Sequence, residues 1–120
     1  MIVRLILLVS CGLLVLSQES QYEPVGCFVD KGEARALPML VANFRGNIDW
    51  NDLTKVVKMC AAAVKAKGYD VFAIQFYGEC WSGPDAGLTY DEYGPSPDGC
   101  VNSTVGADYT NFVYRFQALP

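Results

Sequence analysis

The stretch from Asp49 to Ser82, DWNDLTKVVKMCAAAVKAKGYDVFAIQFYGECWS, decides the fold. Asp49 is a good N-cap, and Asp52 lies in the first turn, where a negative charge suits a helix N-terminus. Ile48 and Leu53 stand where a hydrophobic staple would. Lys65 and Lys67, followed by Gly68, close the segment with the charges and the stop residue of a helix C-terminus. These signals predict one main helix over about residues 50–67. Leu53, Val56, Val57, Cys60 and Val64 recur on one face at helical spacing, so Cys60 belongs to the buried stripe. Ala61, Ala62 and Ala63 allow close approach to whatever the helix covers.

After Gly68 the period changes from 3.6 to 2. Val71 to Tyr77 reads as a strand, with Phe72, Ile74 and Phe76 on one face and Val71, Ala73, Gln75 and Tyr77 on the other. The first set is more apolar and is expected against the helix. Gly78-Glu79 can turn the chain, and Cys80-Trp81-Ser82 returns to make a hairpin. Outward from this centre, Val25 to Val29 is a short strand, residues 30–33 are a turn, and Phe112 to Phe116 is the last strand. Pro38 interrupts the apolar run from Leu37 to Phe44, which is expected to be irregular or an edge segment. Residues 83–99 carry four Gly, three Pro and four acids and read as a long loop pinned by Cys100. The expected fold class is α+β: a small disulfide-stabilised domain with one main helix packed on a short antiparallel sheet, and a long Gly/Pro-rich loop.

The N-terminus has a different character. Arg4 precedes a largely apolar run from Leu5 to Leu16, and Ser17 to Ser20 then turns polar. This is the layout of a secretory signal peptide over residues 1–17, and the run is too short for a membrane span of about 20 residues. Cleavage is expected before Gln18, or before Gln21 as second choice. Residues 18–24 then form a short lead to a single domain at 25–118. Leu8-Val9-Ser10-Cys11 also fits a bacterial lipobox, but the apolar run continues past Cys11, where a lipoprotein turns polar. Signal cleavage removes Cys11 and leaves Cys27, Cys60, Cys80 and Cys100. An even count in a short exported chain reads as two disulfides, whereas a zinc site of four thiolates lacks any CxxC pair. Four Cys allow three connectivities. Cys60 lies on the helix stripe that should cover the hairpin bearing Cys80, so the expected bridges are Cys60–Cys80 and Cys27–Cys100. Asn102-Ser103-Thr104 is an N-glycosylation sequon.

The order of the short segments resembles a WSC-type extracellular domain. The residues are Gly26-Cys27-Phe28-x-Asp30, Arg35-Ala36-Leu37, Cys60 on the helix, Gly68-Tyr69, Phe72-Ala73-Ile74-Gln75, Glu79-Cys80-Trp81, Gly106-Ala107 and Tyr114. Val64 and Ser82 stand where that family carries further Cys, so one of its usual bridges is missing as a unit. The resemblance implies a carbohydrate-binding module without catalytic residues or cofactors.

Composition narrows the chemistry. The chain of 120 residues has nine Lys+Arg against thirteen Asp+Glu and no His. The acidic balance argues against a nucleic-acid partner. Without His, the Ser-His and Cys-His arrangements are gone, and paired carboxylates are the main enzymatic route left. Nothing fixes Glu79, Asp85, Asp91, Glu92 and Asp98 at a working separation, and no EF-hand pattern makes them a calcium loop. No metal or cofactor is expected. A saccharide offers an apolar C–H face and a hydroxyl rim, which aromatic rings beside acids suit. The candidate ligand residues are Tyr77, Glu79, Trp81, Tyr90, Asp91 and Tyr93, at the hairpin tip and long loop. The bland alternative is that Tyr77 and Trp81, and with them Tyr90 and Tyr93, are core. The expected function is a secreted, non-enzymatic binding module for an extracellular glycan. The alternative is a matrix, cell-surface or other protein-interaction domain, such as an inhibitor or toxin-like factor. No stable membrane insertion is expected after signal cleavage.

Overall fold

The computed structural model describes residues 21–118; the segment expected to be a signal peptide, residues 1–17, and Cys11 lie outside them. Within that range the chain runs β1 (Tyr22–Val29), β2 (Met39–Asn43), a 3-10 turn (Arg45–Asn47), α1 (Thr54–Lys67), β3 (Val71–Gln75) and β4 (Glu79–Ser82). It continues with a short α2 (Ala86–Thr89), β5 (Cys100–Val101), β6 (Val105–Gly106) and β7 (Thr110–Phe116). Five strands form an antiparallel sheet in the order β1-β7-β3-β4-β2, while β5 and β6 make a separate two-stranded ribbon. This is a small disulfide-stabilised α+β domain with one main helix, as the sequence predicts.

The central position of β3 explains why all five of its residues are buried. Phe72 and Ile74 meet Val56, Val57, Cys60 and Val64 of α1 on one side. Val71 and Ala73 meet Ala36, Leu37, Ala86 and Val113 on the other. The sheet therefore has two covered faces and two apolar cores. Each fully buried aliphatic side chain contributes roughly 1.5–3 kcal/mol of transfer free energy. Cys60 bonds to Cys80 across the first core, joining α1 to β4, and Cys27 bonds to Cys100. Both pairings are the expected ones.

Several local expectations shift. The helix begins at Thr54, about a turn later than residue 50, because both aspartates are used before it starts. Asp49 Oδ1 accepts from the Asn51 N–H at 2.9 Å, and Asp52 Oδ1 accepts from the Thr54 N–H at 3.1 Å. Such side-chain turns compete with a helical first turn. Its end is as expected: Gly68 takes φ 79°, in the left-handed region. The segment after Pro38 is an edge strand, β2, with a bulge between Leu40 and Ala42. The first strand starts at Tyr22, where residues of the supposed lead pair with β7 up to Phe116. The long loop contains α2.

The largest departure is at the hairpin. β3 stops at Gln75 because Phe76 and Tyr77 both take positive φ, 49° and 69°. Phe76 thus leaves the helix-facing set and packs under Arg45, whose Cζ is 3.6 Å from its ring centroid. The N–H groups of Phe76 and Tyr77 donate to Ala107 and Gly106, which holds the turn against the end of β6. Gly106 is itself dictated by close approach: a Cβ there would lie 1.9 Å from the Thr110 carbonyl oxygen.

Candidate functional site

Asp30 directly follows β1 and is buried beneath the turn that comes after it. Its backbone N–H donates to the Tyr109 carbonyl at 2.9 Å, and its Oδ1 accepts from the Ala36 N–H at 2.8 Å. The carboxylate therefore folds residues 30–36 back over the sheet. Arg35 Nη1 donates to Asp30 Oδ2 at 3.0 Å and to Gln75 Oε1 at 2.8 Å. Gln75 Nε2 donates in turn to Asp30 Oδ2 and to Asn111 Oδ1, both at 2.8 Å. A buried carboxylate is tolerable only when paired and hydrogen-bonded, and this network satisfies it.

The network fixes the Arg35 guanidinium between two rings. Its Cζ lies 4.7 Å from the Trp81 centroid and 5.6 Å from that of Tyr109. Trp81 is held from below, since its Nε1–H donates to Glu79 Oε1 at 3.2 Å. Both side-chain hydrogen bonds of Arg35 leave from Nη1, so Nε and Nη2 meet no protein acceptor among the described residues. Tyr109 is 58% exposed and takes φ 52°, a strained value for a bulky residue. Asn111 Nδ2 is buried without a partner. A hollow of about 300 Å³ lies beside Tyr109, lined also by Asp30, Lys31, Gly32 and Glu33. The arrangement offers an exposed ring, a second ring behind it, and a pre-positioned cation with spare donors.

The six residues singled out from the sequence do not share one surface. Glu79 and Trp81 are on this face. Tyr77 lies on the helix side, with its ring 5.6 Å from that of Trp50. Tyr90 packs edge-on against Phe28 at 5.1 Å and belongs to the second core, as does Tyr93. The Tyr93 hydroxyl donates to the Ala34 carbonyl, and Lys31 Nζ sits 4.7 Å from its ring centroid. Partial desolvation, then the charge of Glu92, holds that phenol above its ordinary pKa. Tyr90 and Tyr93 thus clamp the long loop to the sheet, and Asp91 between them is exposed. Gln75, expected on the face turned away from the helix, is 2% exposed and fully engaged. Asn102 and Ser103 sit exposed at the turn between β5 and β6, so the sequon asparagine is accessible.

Arg35, Tyr109 and Asn111 were not among the predicted site residues. The signal for Arg35 was its spacing from Asp30, since a cation five residues after a β-terminal acid can close the intervening turn. Tyr109 carried no such signal, because its role depends on strand register. Among the described residues no group of three or more Cys, Asp or Glu could hold a metal ion, and no helix is long and apolar enough to cross a membrane. Compared with known proteins, the chain matches no family model and no curated protein.

Proposed function

We propose that this chain is a secreted, non-enzymatic module that binds a saccharide at the face formed by Tyr109, Arg35, Trp81 and Glu79. The observation that carries the reading is the guanidinium of Arg35, held between two rings by Asp30 and Gln75 with Nε and Nη2 unspent. A sugar ring lies its C–H face on Tyr109, and its hydroxyls accept from Arg35 and donate to Glu79. Fixed donors lower the ordering cost of binding. Asp30, Arg35 and Gln75, from three separate segments of the WSC-type resemblance, converge in one network. The two disulfides and the accessible Asn102 suit an exported glycoprotein.

A glycan array probed with the oxidised protein tests the reading. Reproducible saccharide signals that Tyr109→Ala abolishes support it. Blank arrays with folded protein sink it and favour the protein-interaction alternative, for which Leu88, 82% exposed on α2, is the first anchor to test.

A further inference from the structure

Phe76 and Tyr77 occupy the two central positions of the β3–β4 turn, closed by the Gly78 N–H donating to the Gln75 carbonyl at 3.2 Å. With φ 49° and 69° this is a turn that ordinarily takes Asn-Gly. Bulky residues are strained in this left-handed conformation, which Asn or Gly adopts readily. The surroundings enforce the conformation. Besides the two bonds to Gly106 and Ala107, the Phe44 N–H donates to the Gly78 carbonyl at 2.8 Å, and a Cβ at Gly78 would lie 3.0 Å from Arg45. The turn is thereby locked to the segment leading to Trp50. Trp50 is 65% exposed, yet its ring rests against Tyr77 at 5.6 Å and 57°. Asn47 and Asn51 are exposed on the same segment. A lone surface Trp is ordinary. A surface Trp tilted against a ring that a strained turn, braced by bonds to Gly106, Ala107 and Phe44, holds in place is not, because strain of this kind persists where the presented side chains matter.

We infer that Trp50 and Tyr77 form a second saccharide site, on the opposite face of the sheet from Tyr109 and Arg35, and that the domain bridges two glycan chains. Tyr77 packs with the helix-side core and Trp81 with the other, so the two ring pairs are separated by the sheet itself. One sugar cannot touch both. The inference rests on the saccharide reading above, and it turns a binding module into a cross-linker of polysaccharide.

Native mass spectrometry of the oxidised protein with hexasaccharides of a neutral glucan, xylan and mannan counts the sites. The expected result is two hexasaccharides per wild-type chain, and one in either Trp50→Ala or Tyr109→Ala. Light scattering with the corresponding long polysaccharide should show clusters with wild type, reduced about tenfold or more in either variant, as loss of bivalency requires. Trp50 is exposed, so its truncation should leave circular dichroism unchanged. If wild type binds one hexasaccharide and Trp50→Ala clusters as wild type does, the second site is overturned while the first stands. If no probe binds wild type, the saccharide reading and this inference fall together.

Discussion

Gln75 Nε2 donates to Asp30 Oδ2 at 2.8 Å, across 45 residues of sequence. This one bond joins the centre of the sheet to the turn that carries Arg35, so the candidate site is assembled from the core outward. Asp30→Ala should leave the Arg35 cation and the Gln75 amide without their shared acceptor. The expected loss is about 3–5 kcal/mol, the usual cost of breaking a buried pair. Urea unfolding measures it, and a loss under 1 kcal/mol would show that the network is ornamental.

Each bridge should carry a sizeable part of the stability. Replacing Cys60 and Cys80 together removes the covalent link between α1 and β4 and should cost about 2–4 kcal/mol, as should replacing Cys27 with Cys100. In a domain this small either is a large share of total stability. Non-reducing peptide mapping should recover the two pairs seen here; a Cys27–Cys60 peptide would contradict the fold.

Gly106→Ala should be far worse than its size implies. The added methyl meets the Thr110 carbonyl at 1.9 Å, and backbone cannot yield there without releasing Phe76 and Tyr77 from their acceptors. A loss of about 3 kcal/mol or more, or failure to fold, is expected. Ser103→Gly is the opposite case. Ser103 takes φ 48° in the β5–β6 turn, so the change should be neutral or raise stability by up to about 1 kcal/mol. It also preserves the sequon, and a peptide mass increment at Asn102 in both proteins would establish glycosylation.

One ion pair sets a pH dependence. Lys55 Nζ lies 2.8 Å from Asp49 Oδ2. The hydrogen bond from Lys55, with the Asn51 N–H, holds the Asp49 carboxyl below its ordinary 3.8, and Asp49 raises Lys55 above its ordinary 10.5. The Asp49 contribution is present above the unfolded pKa and is lost as pH falls through the folded one. The Lys55 contribution is present below its unfolded pKa and is lost as pH rises through its folded one. NMR titration of Lys55→Ala should move the Asp49 midpoint upward toward its ordinary value; an unmoved midpoint would mean the pair is not formed in solution.

Local signals in the sequence carry much of this architecture. The helix stripe through Val56, Cys60 and Val64 and the alternation of Phe72 with Ile74 place α1 on β3, and that placement selects the Cys60–Cys80 bridge. The site was harder to read because it depends on register between distant strands. Gln75 reaches Asn111 because β3 pairs with β7, and no local pattern announces that pairing. Phe76 and Tyr77 misled for the same reason. Their alternation continues the strand, while their backbone is turned by bonds to Gly106 and Ala107. Tyr90 and Tyr93 lie in a Gly/Pro-rich stretch that reads as open loop, yet Phe28 and Ala34 hold them down.

Tyr22 pairs with Phe116, and the Gln117 N–H donates to the Gln21 carbonyl at 2.9 Å, so β1 and β7 enter and leave the domain side by side. Tension applied through Gln21 and Gln117 therefore peels these strands apart one bond at a time rather than shearing them together. Peeling stops at Cys27, whose bond to Cys100 anchors the rest of β1. Under load the domain should lengthen by one frayed strand end and then hold, a short tether with a covalent stop.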